Sequence, residues 1–324
     1  FKESLEYYDR AITLYEGHVH SYNPILAQQQ LAIIFCNKSI SIENLQGQAP
    51  SLPLLDESIK RWTNLLTKRG RNYVVSQLVR CYANKATRLH HLNRLDEALV
   101  ILDQAIELWR EMTESIGTSK LKLELAMGFM TRGSILEQLG RGLESLESSD
   151  RALEIIDKLV KVEGRSDLYM ERALVLANRS VTLRGLGRLE ESSAMVSEAA
   201  GLLEIMIYRD GQGHMRQLLI NVLSQDAFAQ FNTGNIEAAE HLYRQIYNTY
   251  LEMMDEADVF RVHGDAFRQM VHFAVILLRL GRKEESGKLI PGIWEALEAD
   301  PELMTDISVQ SKVPELIEEL RRGY

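Results

Sequence analysis

A 47-residue echo constrains this chain more than any other feature. Short breaks recur at Leu92-Asn93-Arg94, Leu139-Gly140-Arg141, Leu186-Gly187-Arg188, Thr233-Gly234-Asn235 and Leu280-Gly281-Arg282, and each central residue stands 47 positions after the last. A second set of breaks, Gly70, Gly117, Gly164 and Gly211, keeps the same step, with Asp258 next in register. Self-similarity at a fixed period of this length marks a stacked array, in which each unit buries its apolar face against its neighbours. Length alone would suggest about two domains; the periodicity replaces that reading with a single array over 1–324.

Each unit holds two helices. Val79, Tyr82, Ala86 and Leu89 follow the three-and-four spacing of one helical face, and Leu95, Leu99, Leu102, Ala105, Ile106 and Trp109 repeat it in the next segment. Glycine at the junctions supplies the left-handed turn that stops a helix. No period-two alternation suggests a strand. Aligned columns carry the packing. One column reads Ala86, Gly133, Ser180, Ala227, Ala274, and a second reads Ala98, Ser145, Ser192, Ala239, Ser286. A third runs Ala105, Ala152, Ala199, Ile246, Ile293, and the larger Tyr82, Phe129, Leu176, Leu223, Met270 fill the seam. Small side chains in the first two columns let antiparallel helices approach closely.

The spacing of those columns, with the turns Asn93-Arg94-Leu95-Asp96-Glu97-Ala98, Gly187-Arg188-Leu189-Glu190-Glu191-Ser192 and Gly234-Asn235-Ile236-Glu237-Ala238-Ala239, resembles the tetratricopeptide repeat over almost the whole chain. That family's unit is about 34 residues, so this variant has longer helices, about 20 residues each. HEAT-like repeats share this range of lengths but lack the turn. The resemblance implies an all-α, right-handed solenoid of stacked antiparallel helix pairs, with about 14 helices. The expected organisation is a half repeat at 1–20 and an irregular repeat at 21–70 with a loop at 46–53. Regular repeats follow at 71–116, 117–163, 164–210, 211–257 and 258–300, and a cap at 301–324 uses Val313, Leu316, Ile317 and Leu320. The chain opens on what matches a second helix and lacks Met, which suggests a piece of a longer polypeptide.

Chemistry-bearing patterns are absent. His90 and His91 are adjacent and diverge on a helix, and no His-Glu-x-x-His occurs. Two cysteines, Cys36 and Cys81, supply neither a disulfide framework nor a four-ligand zinc site, and fit a reducing cytoplasm. Gly211-Gln212-Gly213 is a helix connection with no phosphate-loop context. The expectation is no catalysis, no metal and no cofactor. A net charge of −9 and 7% aromatic residues disfavour nucleic acid. No apolar run reaches the ~18 residues of a membrane span. The basic column Lys85, Arg132, Arg179, which turns to Asp226, is read as a recurring ion pair with Glu97, Glu144 and Glu191.

What remains is a protein-interaction scaffold, or the sensing arm of a larger signalling protein with a kinase, protease or nucleotide-binding module elsewhere. A helical-repeat RNA binder is the third alternative. In arrays of this family the first helix of each pair lines the concave face. The resemblance therefore points to Arg80, Thr87, His90 and His91, then Met127, Met130, Ser134, Glu137 and Gln138, then Leu174, Val181 and Arg184. Asn221, Ser224, Phe228, Phe231 and Asn232 follow, and last come Arg268, Val271, Val275 and Arg279. Four arginines against one glutamate, with Met127, Met130, Phe228 and Phe231 as anchors, suit a protein or peptide that is acidic and carries apolar side chains. The family's carboxylate clamp is not reproduced: Asn84 and Asn178 have no matching Lys and Asn in the neighbouring helices.

Overall fold

The structure, a computed structural model, describes residues 2–18, 23–66, 71–253 and 264–300, with isolated positions between 302 and 318. The expected cap helix and the breaks at Gly70 and Asp258 lie mostly or wholly outside the described residues. Thirteen α-helices and no strand are present among the described residues. The chain divides into two compact units, Phe1–Gly187 and Arg188–Tyr324.

The first unit runs α1 (Lys2–His18), α2 (Pro24–Gln46), α3 (Leu52–Leu65), α4 (Arg71–His91), α5 (Leu95–Ile116), α6 (Ser119–Gln138), α7 (Gly142–Lys161) and α8 (Tyr169–Gly185). The second runs α9 (Leu189–Glu204), α10 (Arg216–Thr233), α11 (Ile236–Met253), α12 (Gly264–Arg279) and α13 (Lys283–Ala299). Within each unit every helix packs on the next in sequence, the pairwise stacking of an all-α solenoid. The segment expected as a loop at 46–53 is partly helical: Ala49–Ser51 forms one 3-10 turn and α3 starts at Leu52. Pro50 and Pro53 stand in the first turns, where a fixed φ favours helix entry.

From α4 onward the turn between the helices of a pair repeats one left-handed residue. Gly140, Gly187, Gly234 and Gly281 have φ of 72, 76, 84 and 73°, and Asn93 takes the same place at 57°. Asparagine tolerates this left-handed region better than other side-chain-bearing residues. The small columns sit where the helices of a pair touch. Ala86, Ala98, Ala105, Ala152, Ala199, Ala227, Ala239 and Ala274 are fully buried. Ser145 Oγ donates to Gly133 O at 2.7 Å, and Ser286 Oγ donates to Ala274 O at 3.0 Å, so the serines satisfy their hydroxyls within the contact.

The basic column pairs with a different acidic column from the one expected. Lys85 meets Asp56 at 2.6 Å, Arg132 meets Asp103 at 2.7 Å, and Arg179 meets Asp150 at 2.8 Å. Lys38 and Asp9 form the same pair one period earlier. Every rung spans 29 residues and joins the second helix of one pair to the first helix of the next. Glu97, Glu144 and Glu191 pair instead with Arg94, Arg141 and Arg188, each at 2.6 Å. Those arginines cap the same helix three residues earlier, so the carboxylate finds a local partner before a distant one.

Candidate interaction surface

In the first unit α4 and α6 belong to the layer of first helices, with α5 beneath and between them. On α4, Arg80, Ala83 and Thr87 follow a one-face spacing, and Met127 and Thr131 do the same on α6. Between these rows lies a cavity of about 300 Å³. Its lining includes Ala83, Thr87, Met127, Gly128 and Thr131, with Leu102 and Trp109 of α5 as the floor. The lining is almost wholly apolar, the usual character of a site that accepts a side chain.

Gly128 determines how the floor is built. A Cβ there would come within 2.7 Å of the Trp109 ring, so only glycine lets the indole approach α6 this closely. Trp109 Nε1 donates to Glu124 Oε2 at 3.2 Å, which fixes the ring and satisfies its one donor. Arg80 is exposed, and no carboxylate lies within 4.0 Å of it among the described residues. Thr87 is exposed, while Met127, Met130 and Ser134 are half-buried on the same layer.

Towards the helix ends, the adjacent histidines turn to opposite neighbours. His91 Nδ1 pairs with Gln48 Nε2 at 2.8 Å, and His90 Nε2 pairs with Gln138 Nε2 at 2.8 Å. Glu137, Leu174, Val181 and Arg184 are half-buried. Among the described residues no group of three His, Cys, Asp or Glu side chains lies in metal-binding reach.

The second unit corrects part of the expected surface. Asn221, Phe228, Asn232 and Arg279 are exposed, and Ser224 and Arg268 are half-buried. Phe231, Val271 and Val275 are buried and cannot touch a ligand. Phe231 packs on the His272 ring at 5.6 Å and lies beneath the Arg279 guanidinium at 5.1 Å. From Met270 to Leu277 every residue of α12 is buried, so that helix has no exposed side on this stretch. A helix that is apolar all round gives no sequence signal for a solvent face.

A second, larger cavity of about 560 Å³ lies on the opposite side of the first unit, between α5 and α7. Ile106, Phe129 and Ile155 line it together with charged residues that are largely paired with each other, such as Arg132 with Asp103 and Arg110 with Glu107. Trp109, Gly128 and Thr131 were not among the expected contact residues. A glycine inside α6 aligned with the bulkier Val175 and Val222 of later copies was the available signal.

Comparison with known proteins fits this geometry. Residues 78–113, which contain most of α5 and the last two thirds of α4, match the family model of the tetratricopeptide repeat. That stretch is similar to the tetratricopeptide repeat. No curated protein matches it. Among solved structures, BtubC (BKLC) from P. vanneervenii is 12% identical with a TM-score of 0.59, over 78% of this chain and 92% of that one. A signal transduction ATPase with numerous domains and a tetratricopeptide repeat sensor, from Pyrococcus horikoshii, is 15% identical with a TM-score of 0.60. That match covers 90% of this chain and 40% of the ATPase. At these identities the likeness concerns the fold. Tetratricopeptide repeats support a protein-interaction scaffold, and no helix of the described residues is long and apolar enough to cross a membrane.

Proposed function

We propose that this tetratricopeptide-like chain is a non-catalytic, cytoplasmic scaffold that binds a protein segment along its first-helix face. The observation that carries the reading is the apolar cavity between α4 and α6, with the exposed Arg80 one turn away on the α4 face. The cavity suits one apolar side chain of the partner, and the arginine favours a carboxylate beside that anchor. The opposite cavity is the poorer site, because a ligand there would have to displace ion pairs already made. A second reading, the sensing arm of a larger signalling protein, takes its motive from the Pyrococcus ATPase with its repeat sensor.

The test is selection of binders from a random 12-residue peptide library, followed by affinity measurements on two variants. Thr131→Phe fills the cavity from its rim, and Arg80→Glu reverses the flanking charge. Peptides with an apolar residue next to Asp or Glu should emerge. Each variant should lose at least about tenfold in affinity, about 1.4 kcal/mol, with an unchanged helical spectrum. Selected peptides that bind both variants as they bind the parent would place the site elsewhere.

A further inference from the structure

The two cysteines of the chain, 45 positions apart, lie in one buried apolar cluster, Cys36 on α2 and Cys81 on α4. The register is set by three residues on each helix. Cys36, Ser39 and Glu43 share one face of α2, and Cys81, Asn84 and Arg88 share one face of α4 with the same spacing. Arg88 is buried and donates to Glu43 Oε2 at 2.7 Å and to Ser39 Oγ at 3.1 Å. Asn84 Nδ2 reaches Cys36 Sγ at 4.0 Å. One turn before Asn84, Cys81 stands in the same apolar cluster as Cys36, with Ser58 Oγ 3.2 Å from its sulfur. These positions are not equivalent in the 47-residue repeat, so the shared cluster does not follow from the period itself.

We infer that Cys36 and Cys81 are an oxidisable dithiol that closes an intramolecular disulfide between the first helices of successive repeats, with a peroxide as oxidant. The Cys36 thiolate attacks one peroxide oxygen, the O–O bond breaks, and hydroxide leaves, taking up the thiol's proton as water. Sulfur is left as a sulfenic acid. The Cys81 sulfur then displaces that hydroxyl as a second water, and the S–S bond forms. Two thiol sulfurs lose two electrons, and the peroxide is reduced to two waters. The order of attack follows the surroundings: Asn84 Nδ2 reaches the Cys36 sulfur, and with the neighbouring positive charges of Arg80 and Arg88 it favours the Cys36 thiolate, while burial pushes the Cys81 thiol up. Both sulfurs are buried, so the oxidant enters when the cluster opens, and the bond then fastens it.

The experiment treats the reduced full chain with hydrogen peroxide in native buffer without denaturant. Free thiols should fall from two to none, and a non-reducing peptide map should join the Cys36 and Cys81 peptides without intermolecular bands. The thermal midpoint should rise by about 5–10 °C and return with a reductant, since the bond closes a long loop of the unfolded chain. Cys81→Ala should show no such rise. Persistence of both thiols, a disulfide between molecules, or Cys36 ending as a sulfinic acid would overturn the inference.

Discussion

The two units follow one period and fasten their seams differently. In the first, four rungs at the same 29-residue offset are Asp–Lys or Asp–Arg pairs: Asp9–Lys38, Asp56–Lys85, Asp103–Arg132 and Asp150–Arg179. In the second, the equivalent positions read Ser197 with Asp226, then Arg244 with Phe273. Asp226 is buried and accepts from Ser193 Oγ at 2.8 Å and from Gln230 Nε2 at 3.3 Å. Arg244 lies over the Phe273 ring at 5.4 Å. The lesson is that backbone geometry, set by turns and small columns, persists while the pair chemistry at an equivalent contact changes on both sides together.

The largest expected effect breaks the second unit's arrangement. Asp226→Arg strands a charge in a buried site built for a carboxylate and should cost about 3 kcal/mol in denaturant unfolding. Adding Ser197→Asp supplies the first unit's partner and should recover about 1 kcal/mol. A double-mutant cycle reads that coupling, and zero coupling would mean the offset contact is not equivalent in the two units. Next come the columns both units share. Ala86→Leu and Ala227→Leu should each overpack a fully buried contact by about 2 kcal/mol. A large difference between them would show that the helix pairs are not built alike.

Smaller effects belong to the exposed rungs. Arg132→Ala and Arg179→Ala should each cost less than about 1 kcal/mol, shrinking as salt rises, because their aspartates are about half exposed. Acid gives the last effect. Bonds from Arg94, Arg141, Lys122 and Arg165 hold Glu97, Glu144, Glu163 and Asp167 below the ordinary carboxylate range. In the second unit, bonds from Arg282 and Arg209 do the same for Glu285 and Asp210. A depressed carboxylate contributes stability above its unfolded pKa and loses it as pH falls through the lower folded value. Hydrogen exchange should therefore show amides near these pairs losing some protection, in both units, as the pH falls below about 4.

The architecture was legible because close helix contact admits so few residues. Ala86, Gly133, Ser180, Ala227 and Ala274 can be read as one contact without coordinates, and so can the Gly turns. The ion-pair partner was not legible, since Asp56, Asp103 and Asp150 repeat with the same period as the glutamates, and helix rotation alone chooses between them. The solvent-facing side of the first helices was legible on α4 and α6, where polar and apolar residues alternate around the helix. It failed on α12, whose run from Met270 to Leu277 offers almost nothing but apolar residues. The cysteine pair escaped because it depends on the register between helices of different repeats.

The seating of Trp109 on Gly128 gives the protein an optical reporter of its own. Three tryptophans are present: Trp62 is sealed in the core, Trp294 is 42% exposed, and Trp109 floors the cavity at 7% exposed. With Trp294→Phe, the remaining emission comes from one ring that no ligand reaches and one that a seated side chain would touch. Occupancy of the cavity would then appear as a change in the Trp109 component alone, with Trp62 as the internal standard, and no label would have to be attached to either partner.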